Sequence, residues 1–574
     1  MSQSTMDNFN AEAFLHHWWS GSSVPLGFDI EEGIEKTYLD SEGFSKNLLF
    51  PRQEQLLPPS KSILSDSYHF YHDCVIRHLR SKRPALLLVK ESGEVEEWSY
   101  AKLHECVNYH VDKWSYNSLE PGQLIAIVGE SDLFFAISLL TALRLGLKIC
   151  YFPTHTPFLG KEEIRKFLIE IQPQFIVAKE SFFVADEVTV LHVNENGFDE
   201  EEYVPLSYAY PANKDMQIAL ALQDQEPLAF VSIHAEASYI HALRDGLFTF
   251  DLPQHPYWAA PLACPIRTEP CSTLMSLLCG ATRVFLSDKT IRQNPQLLKE
   301  ERVNLIGISP ALQELWSRFP GCLPTKHLKS FYKSPLNTSF QSWKTFLLLN
   351  KLEKLPHFNV WMDNSMGGAS LFSRPSLDVF SPYLKSTLGS SWSLAPLEGG
   401  SEVLAGFGAF QIDGRLSNFT VSQIEQSLML TGFVQPCREG VTFPLLEIEQ
   451  LVNRLPFVEG SMMHHTPKSG AMFSRYFVLL VFVNPLEENR VAMEGNWSEE
   501  IFNVINCELG YGFLPDYVEY FPLIPKNGLL GIDRAWCTNQ YQSGLLARKR
   551  ELSYFQILNR LKKLAKNIEG GVDS

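Results

Sequence analysis

The chain has 574 residues, of which 45% are hydrophobic, so its length and composition predict a globular protein with two or more domains. Its 65 acidic and 49 basic side chains give a formal net charge of -16, which argues against a non-specific grip on nucleic acid. No apolar run approaches the ~20 residues of a membrane-spanning helix, and the first residues lack the profile of a signal peptide. These features predict a cytoplasmic protein.

The ten cysteines are scattered along the chain, with no Cys-x-x-Cys pair and no paired Cys/His spacing of the zinc type. They predict reduced thiols in the core and no metal site. Composition therefore indicates neither nucleic acid, nor a membrane span, nor a metal as a partner.

Residues 1 to about 65 show no sustained hydrophobic period and predict an irregular arm, anchored on the body by Phe14, Trp18 and Trp19. From there to residue 318, strands alternate with amphipathic helices, which predicts an α/β domain with a parallel sheet and helices on both faces. The predicted helices cover 68–80, 100–114, 132–145, 161–171, 272–278, 294–301 and 311–318, and the predicted strands cover 84–90, 123–128, 148–152, 174–178, 228–233, 282–286 and 303–308.

The hydrophobic pattern weakens between 416 and 435, and the sequence after it is typical of a small α+β domain. Leucine and phenylalanine residues recur at near-helical steps over 552–564, which favours a terminal helix docked on this domain over a membrane or partner helix. Within the small domain, helices are predicted over 444–456 and 498–509, and strands over 460–464 and 475–483.

These patterns predict three parts of the chain. An N-terminal arm covers 1–70, a large α/β domain covers 71–435, and a small C-terminal domain covers 436–574. No internal repeat or low-complexity segment stands out.

Several short stretches match one family in the same order along the chain. Val360-Trp-Met-Asp-Asn-Ser-Met-Gly-Gly aligns without a gap on Thr-Trp-Trp-Gln-Thr-Glu-Thr-Gly-Gly, and Pro525-Lys-Asn-Gly-Leu-Leu-Gly-Ile-Asp-Arg aligns on Pro-Lys-Thr-x-x-Gly-Lys-Ile-x-Arg. By these and earlier stretches the chain resembles the acyl-adenylating ligases, and among them the acetyl-CoA synthetase-type acyl-CoA synthetases. The resemblance covers most of the chain from about residue 70 to about residue 540.

The resemblance implies a large AMP-binding-type α/β domain followed by a small α+β domain. It also implies an enzyme that joins a carboxylate to the α-phosphate of ATP and then passes the acyl group to a thiol. ATP with Mg²⁺ and CoA are the implied cofactors. Both steps need positive or dipolar groups directed at phosphate.

The phosphate-gripping loop implied by the resemblance falls on residues 232 to 241. Such a loop needs glycines, hydroxyl donors and a closing lysine, but residues 232 to 243 contain no glycine and no lysine. Glu236 would instead repel a phosphate by on the order of 3 kcal/mol at about 5 Å and an effective dielectric near 20. We therefore predict a plain strand-to-helix connection here.

Two residues that act on ATP in the family are replaced. Ser365 occupies the position of the glutamate that binds metal and phosphate, and Gly531 occupies the position of the adenylation lysine. Asp363 could replace the glutamate only if its loop were rebuilt, and Lys526 matches a different lysine of the motif. The catalytic set of the family is therefore predicted not to be intact.

The family's hinge region is altered as well. Counting back from Glu449 places the hinge arginine and aspartate positions on Thr431 and Val434. The aspartate that contacts ribose has only Asp413 as an approximate candidate. Polar sites that are far apart in the sequence are thus replaced while the apolar framework persists.

The first hypothesis is an acyl-CoA synthetase-like protein without adenylation activity, which acts as a binding or regulatory partner and holds a small acyl ligand or a protein. Met362 takes the place of a bulky tryptophan and would leave room for an acyl group larger than acetate. The competing interpretation, that Trp361 and Met362 only pack the core, is favoured. The candidate cleft comprises Trp361, Met362, Asp363, Gly367, Gly368 and Asp413.

The alternative is a divergent but active AMP-forming ligase. It would use His234, His241, Arg244 and Asp363 in place of the missing groups, together with ATP, Mg²⁺ and CoA. A transferase or hydrolase is disfavoured because the sequence contains no nucleophile-elbow or metal signature.

Overall fold

The structure is a computed structural model and describes separate ranges of the chain. The predicted arm lies outside them, apart from Phe70. The described residues are 70–90, 92–130, 132–154, 159–178, 189–193, 217–221, 230–250, 252, 255–260, 268–323, 325–334, 340–363, 368–373, 383–387, 392–396, 407–412, 415–424, 427–433, 436–438, 441–467, 475–483, 494–521, 527–528, 531–546 and 550–553.

Strands make up two large sheets, one smaller sheet and two short hairpins. In chain order they are β1 (Pro84–Val89), β2 (Val95–Ser99), β3 (Leu124–Gly129), β4 (Lys148–Pro153), β5 (Phe175–Ala178), β6 (Thr189–Leu191), β7 (Gln217–Ala221), β8 (Phe230–His234), β9 (Tyr257–Ala259), β10 (Thr282–Phe285), β11 (Leu305–Gly307), β12 (Ser330–Lys333), β13 (His357–Asp363), β14 (Gly368–Phe372), β15 (Tyr383–Ser386), β16 (Trp392–Ala395), β17 (Phe407–Ile412), β18 (Arg415–Ile424), β19 (Ser427–Phe433), β20 (Cys437–Arg438), β21 (Val441–Thr442), β22 (Val458–Pro467), β23 (Arg475–Val483), β24 (Tyr517–Phe521), β25 (Asn527–Gly528), β26 (Gly531–Ile532) and β27 (Arg550–Ser553).

The described α-helices alternate with these strands over the first half of the chain. In chain order they are α1 (Phe70–Cys74), α2 (Tyr100–Ser115), α3 (Leu133–Arg144), α4 (Lys161–Ile171), α5 (Ala235–Arg244), α6 (Cys271–Leu278), α7 (Asp288–Gln293), α8 (Leu297–Glu300), α9 (Pro310–Arg318), α10 (Phe340–Asn350), α11 (Leu445–Val452), α12 (Glu494–Glu508) and α13 (Arg534–Gln542). None of the helices in the described part is both long and apolar enough to cross a bilayer.

The chain divides into two compact units. The first comprises residues 1–153 and 171–434, and the second comprises residues 154–170 and 435–574. Most of α4 therefore has its contacts within the second unit, where Lys166 pairs with Glu508.

Two sheets form the first unit. The smaller has the order β6-β5-β3-β4-β7-β8, with parallel pairing except between β7 and β8. The larger joins thirteen described strands in the order β16-β17-β18-β19-β15-β14-β13-β12-β11-β9-β10-β1-β2. Its strands are parallel from β13 to β1 and antiparallel at both ends. The predicted α/β class with a parallel sheet is confirmed.

Helix α3 lies in the interior of the first unit. All of its residues are buried, and its sequence is apolar on every side, as expected of a helix with no solvent face. Asp132 caps its first turn by accepting a hydrogen bond from the Phe135 amide. Ser138 and Thr141 are satisfied within the helix because their hydroxyls donate to carbonyls four residues earlier.

The alternation predicted up to residue 318 is confirmed, with element ends within three residues of those predicted, except in the first helix. There, the predicted helix over 68–80 is wrong in length: α1 stops at Cys74 and a 3-10 turn follows at Ile76–His78. The region between 416 and 435, where the hydrophobic pattern is weak, contains most of two long strands, β18 and β19. Their pairing shifts register between Thr420 and Val421, and such a bulge breaks the two-residue period by which a strand is recognised.

The second unit contains a four-stranded sheet in the order β22-β23-β24-β27. Strand β23, the longest apolar run of the sequence, is central and buried over most of its length. The predicted terminal helix is wrong at its first position because Leu552 lies in β27, opposite Val518 of β24. The later residues of that predicted helix lie outside the described ranges.

Candidate functional site

The stretch at the position of the phosphate loop is a strand that passes directly into a helix. Strand β8 ends at His234 and helix α5 begins at Ala235, so no loop separates them. The predicted strand-to-helix connection is confirmed. The side chains of His234 and Glu236 lie outside the described part of the structure.

The C-terminal end of α5 carries a buried ion pair. Arg244 and Asp245 are only 2% and 1% exposed, and Arg244 Nε donates to Asp245 Oδ1 over 2.8 Å. The hydroxyl of Thr249, one turn later, donates to the same oxygen over 3.2 Å. Because a carboxylate is in direct contact with it, the Arg244 guanidinium does not act as an uncompensated cation.

The same pair holds the backbone of Ala369, in β14. Arg244 Nη2 donates to the Ala369 carbonyl over 2.8 Å, and the Ala369 amide donates to Asp245 Oδ2 over 2.7 Å. The hydroxyl of Thr387 donates to the same carbonyl over 2.9 Å. Charge-assisted bonds of this kind fix α5 against the β13–β14 hairpin.

The contact between the Arg244–Asp245 pair and the β13–β14 hairpin is closest at Gly368. A Cβ at this position would lie 2.4 Å from Asp245 Oδ2 and 3.3 Å from the Cβ of His241. The second glycine of the family-like Gly-Gly pair is therefore required by the approach of the Asp245 carboxylate. The structure also places half-buried His241 beside this hairpin.

The predicted cleft residues on β13 are part of the packed interior. Trp361 is 3% exposed and Met362 is 5% exposed. Met362 pairs with Ala369 across the hairpin and belongs to the main hydrophobic core of the first unit. Asp363 is paired with Gly368 through the backbone, and the structure does not describe its side chain.

Aromatic rings fill the interior on the Met362 face of β13. The ring of Phe250 lies 5.1 Å from Trp258, 5.0 Å from Tyr332 and 6.1 Å from Phe358, measured between centroids. The Trp258 indole N–H donates to the Tyr332 hydroxyl over 3.2 Å. Burial raises the pKa of Tyr332, which keeps this hydroxyl neutral.

In the second unit, the family-like motif near the C-terminus forms a short hairpin and the start of a helix. Gly531 lies in β26 opposite Gly528. The last motif residue, Arg534, donates from Nη1 to Glu449 Oε2 over 2.6 Å, and the Met463 amide donates to Glu449 Oε1 over 2.7 Å. Arg534 therefore links α13 to α11 and β22.

The remaining predicted site residues fall outside the described ranges or contribute only backbone. Ser365, Gly367, Asp413, Val434 and Lys526 lie outside, and the backbone of Thr431 lies in β19. Among the described residues, no three His, Cys, Asp or Glu side chains are grouped so that they could hold a metal ion.

Two buried charged residues in the larger sheet were not predicted as site residues from the sequence. Arg283 Nη2 donates to Glu269 Oε1 over 3.0 Å, and the Arg283 guanidinium lies 5.0 Å from the Trp258 ring. Lys333 ends β12 and is buried. In the sequence, each of them is recognisable only as a charged residue in an otherwise apolar strand.

No family model matches this chain, and no curated protein matches it. Solved structures do match its fold. An o-succinylbenzoate-CoA synthetase from Bacillus subtilis has 13% identity and a TM-score of 0.63, with 84% of this chain and 99% of that chain covered. A fatty acid AMP ligase from Legionella pneumophila has 11% identity and a TM-score of 0.58, with 86% and 98% covered.

A third similar structure is an amide bond synthetase from Marinactinospora thermotolerans, with 11% identity, a TM-score of 0.61, and 82% and 99% of the two chains covered. The chain therefore has the fold of the acyl-adenylating ligases over most of its length. At these identities the likeness establishes the fold.

Proposed function

We propose that this chain, which has the acyl-adenylating ligase fold, is an acyl-CoA synthetase-like protein without ATP-dependent adenylation activity that acts as a binding or regulatory partner. The observation that carries the proposal is the direct passage from β8 into α5 where the family has its phosphate loop. Its ligand is a small acyl group or a protein, and its location is the cytoplasm.

The residues present fit ATP and Mg²⁺ poorly, which supports the proposal. A glycine-free stretch cannot bring its backbone close to a phosphate as a glycine-rich loop does. Glu236, an acidic residue in the first turn of α5, stands in the stretch where such a loop has uncharged donors and glycines. The buried pair of Arg244 with Asp245 leaves the nearest described arginine already compensated.

Gly531 supports the same conclusion independently. A lysine at this position in the family contacts the reacting groups, and losing one preorganised donor costs about 3 to 4 kcal/mol in the transition state. Ser365 removes the anionic metal ligand as well. Because the replacements lie far apart in the sequence, one alignment error does not account for all of them.

The alternative, a divergent active ligase, draws support from one observation. The Cβ of His241 lies beside Gly368, at the hairpin that carries Asp363, so one of the residues proposed for this alternative is near the family-like Gly-Gly pair. The pairing of Arg244 with Asp245 counts against this alternative because it removes one of its proposed cations.

ATP–pyrophosphate exchange over a panel of short- to long-chain carboxylic acids tests the proposal. We expect exchange at background, with an active acyl-CoA synthetase assayed in parallel as the positive control. Clear exchange that disappears in His241→Ala but persists in His327→Ala would overturn the proposal and favour the divergent enzyme.

Calorimetric titration separates loss of catalysis from loss of binding. We expect no measurable heat with ATP or AMP. An acyl-adenylate analogue is expected to bind only through its acyl part, so the matching free acid should bind as well. Nucleotide binding in the micromolar range, about -8 kcal/mol, would contradict the proposal.

A further inference from the structure

The last residue of β12 is a buried lysine without a carboxylate partner. Lys333 is 7% exposed, and no carboxylate among the described residues forms an ion pair with it. Its ammonium nitrogen lies 3.5 Å from the carbonyl oxygen of Ser334 and 5.3 Å from the centroid of the Trp343 ring. Buried lysines are rare unless they are paired, so this residue calls for a functional explanation.

Polar atoms next to Lys333 also lack partners. Asn359 lies directly opposite Lys333 in the parallel pairing of β12 with β13, where neighbouring strands are about 4.8 Å apart and paired side chains share a face. The Oδ1 atom of Asn359 and the Oγ atom of Ser334 are buried, and neither has a hydrogen-bond partner among the described residues. The buried amine at the end of β12 therefore has an amide opposite it on β13 and a hydroxyl on the next residue of the chain.

The surroundings of this cluster are aromatic. Phe331 shares the face of β12 with Lys333, and its ring lies 5.8 Å from Trp343 and 5.6 Å from His357. The His357 imidazole is engaged with the Leu355 carbonyl, and its pKa is lowered mainly by burial, with a smaller contribution from the charge of Lys333. An apolar wall beside a polar cluster is typical of a small-molecule site.

The position within the sheet favours a ligand site. Strands β9, β11, β12 and β13 are neighbours and run in parallel. In open α/β sheets, ligands bind outside the carboxyl ends of the strands, where Lys333 lies.

Burial gives this amine its reactivity. An ammonium that is removed from water without a counter-ion loses its proton easily, and burial lowers the pKa of Lys333 to about 7. An ordinary lysine titrates near 10.4 and is almost wholly protonated at neutral pH. A neutral amine is a nucleophile, and desolvated lysines form imines with carbonyl compounds for this reason.

We propose that Lys333 is the covalent attachment site of a small apolar aldehyde or ketone, held as a reversible imine between Ser334 and Asn359. The Lys333 nitrogen lone pair forms a bond to the carbonyl carbon, and the carbonyl π electrons move to oxygen. A proton passes from nitrogen to that oxygen, and the carbinolamine forms. Loss of its hydroxyl with the remaining amine proton releases one water and leaves the C=N bond.

The neighbouring groups suit this sequence. The Ser334 hydroxyl can donate a hydrogen bond to the carbonyl oxygen, and Asn359 Oδ1 can accept one from the carbinolamine hydroxyl. The aromatic residues Phe331 and Trp343 make the surroundings of Lys333 apolar, which favours a carbonyl compound with an apolar chain. This inference goes beyond the proposed function and does not depend on it.

Reductive trapping with hexanal tests the site in the full-length protein. Sodium cyanoborohydride supplies the hydride that converts an imine into a stable secondary amine, and peptide mass mapping locates it. We expect alkylation of Lys333 at pH 7 to be at least about tenfold faster than alkylation of exposed Lys344. The rate at Lys333 should rise with pH and reach half of its maximum near pH 7. Labelling of Lys333 no faster than Lys344, or rising only above about pH 9, would overturn the inference.

Two controls sharpen the result. Lys333→Arg keeps the positive charge but cannot form an imine, so it should lose this adduct, whereas Lys344→Arg should retain it. If the arginine variant does not fold, the mapping on the natural sequence still decides. If hexanoate protects Lys333 from labelling as strongly as hexanal does, the site binds anions. That result would overturn the carbonyl assignment.

Discussion

The Asp245 carboxylate occupies the space in which a side chain at position 368 would begin. Asp245 therefore requires a glycine at Gly368, although the two residues are 123 positions apart in the sequence. An added Cβ would lie 2.4 Å from Asp245 Oδ2. That oxygen also accepts the Ala369 amide over 2.7 Å and cannot move away without leaving a buried donor unpaired. Packing around an ion pair thus requires a glycine that the family resemblance would assign to ligand binding.

Gly368→Ala is expected to lower the free energy of unfolding by about 3 kcal/mol because it combines overpacking with a broken buried hydrogen bond. Urea unfolding measures the change. Gly93→Ala is the matched control: its φ is +84° but its space is open, so strain alone should cost about 1 to 2 kcal/mol. Equal costs for the two variants would show that Asp245 can move aside.

Asp245→Asn is expected to destabilise the protein by about 3 to 5 kcal/mol because it removes one member of a buried ion pair. The midpoint of guanidinium chloride unfolding reports this loss. The exposed pair of Arg318 with Glu314 serves as control, where Glu314→Gln should cost less than about 0.5 kcal/mol. A loss at Asp245 as small as that at Glu314 would contradict a structural role for the buried pair.

Gly531→Lys restores the residue type of the family at one position and is expected to leave ATP–pyrophosphate exchange at background. The reason is that β8 still passes directly into α5, so no glycine-rich loop is available to bind the phosphates. The exchange assay with the same panel of acids provides the measurement, and an unchanged melting temperature shows that the variant is folded. Exchange that rises clearly above background would mean that only the lysine was missing.

The buried imidazole of His78 is expected to make stability depend on pH. Burial, with a smaller contribution from Arg77, lowers the pKa of His78 to about 3. Between the unfolded value near 6.5 and this folded value, the unfolded chain binds a proton that the folded chain does not, so stability falls as pH falls. The loss attributable to His78 between pH 7.5 and pH 5.5 is about 1.4 kcal/mol.

His78→Gln should therefore remove about 1.4 kcal/mol of the difference between the free energies of unfolding at those two pH values, whatever it does to stability itself. The natural sequence, measured at the same two pH values, is the reference. If His78→Gln keeps the full pH dependence, His78 is not held neutral by burial.

The order of elements and the strand-to-helix connection at His234 and Ala235 could be predicted from the sequence because both are local properties. The apolar periodicity of 100–178 and 272–318 is carried by neighbouring residues, so α2, α3, α4 and α6 are found where the pattern places them. The lack of glycine and lysine in 232–243 is likewise visible in a dozen consecutive letters, and β8 followed by α5 confirms the strand-to-helix connection predicted there.

Only the tertiary structure decided which charged residues are buried and what they contact. Arg244 was a candidate phosphate ligand in the sequence, but the fold pairs it with Asp245 and Ala369. The burial of Lys333 could not be predicted from its charge in an apolar strand, because that burial depends on β13 and α10, which follow it in the chain. Periodicity records the environment that a segment provides for itself, whereas burial of a charge depends on contacts between distant segments, and those exist only after the sheets have assembled.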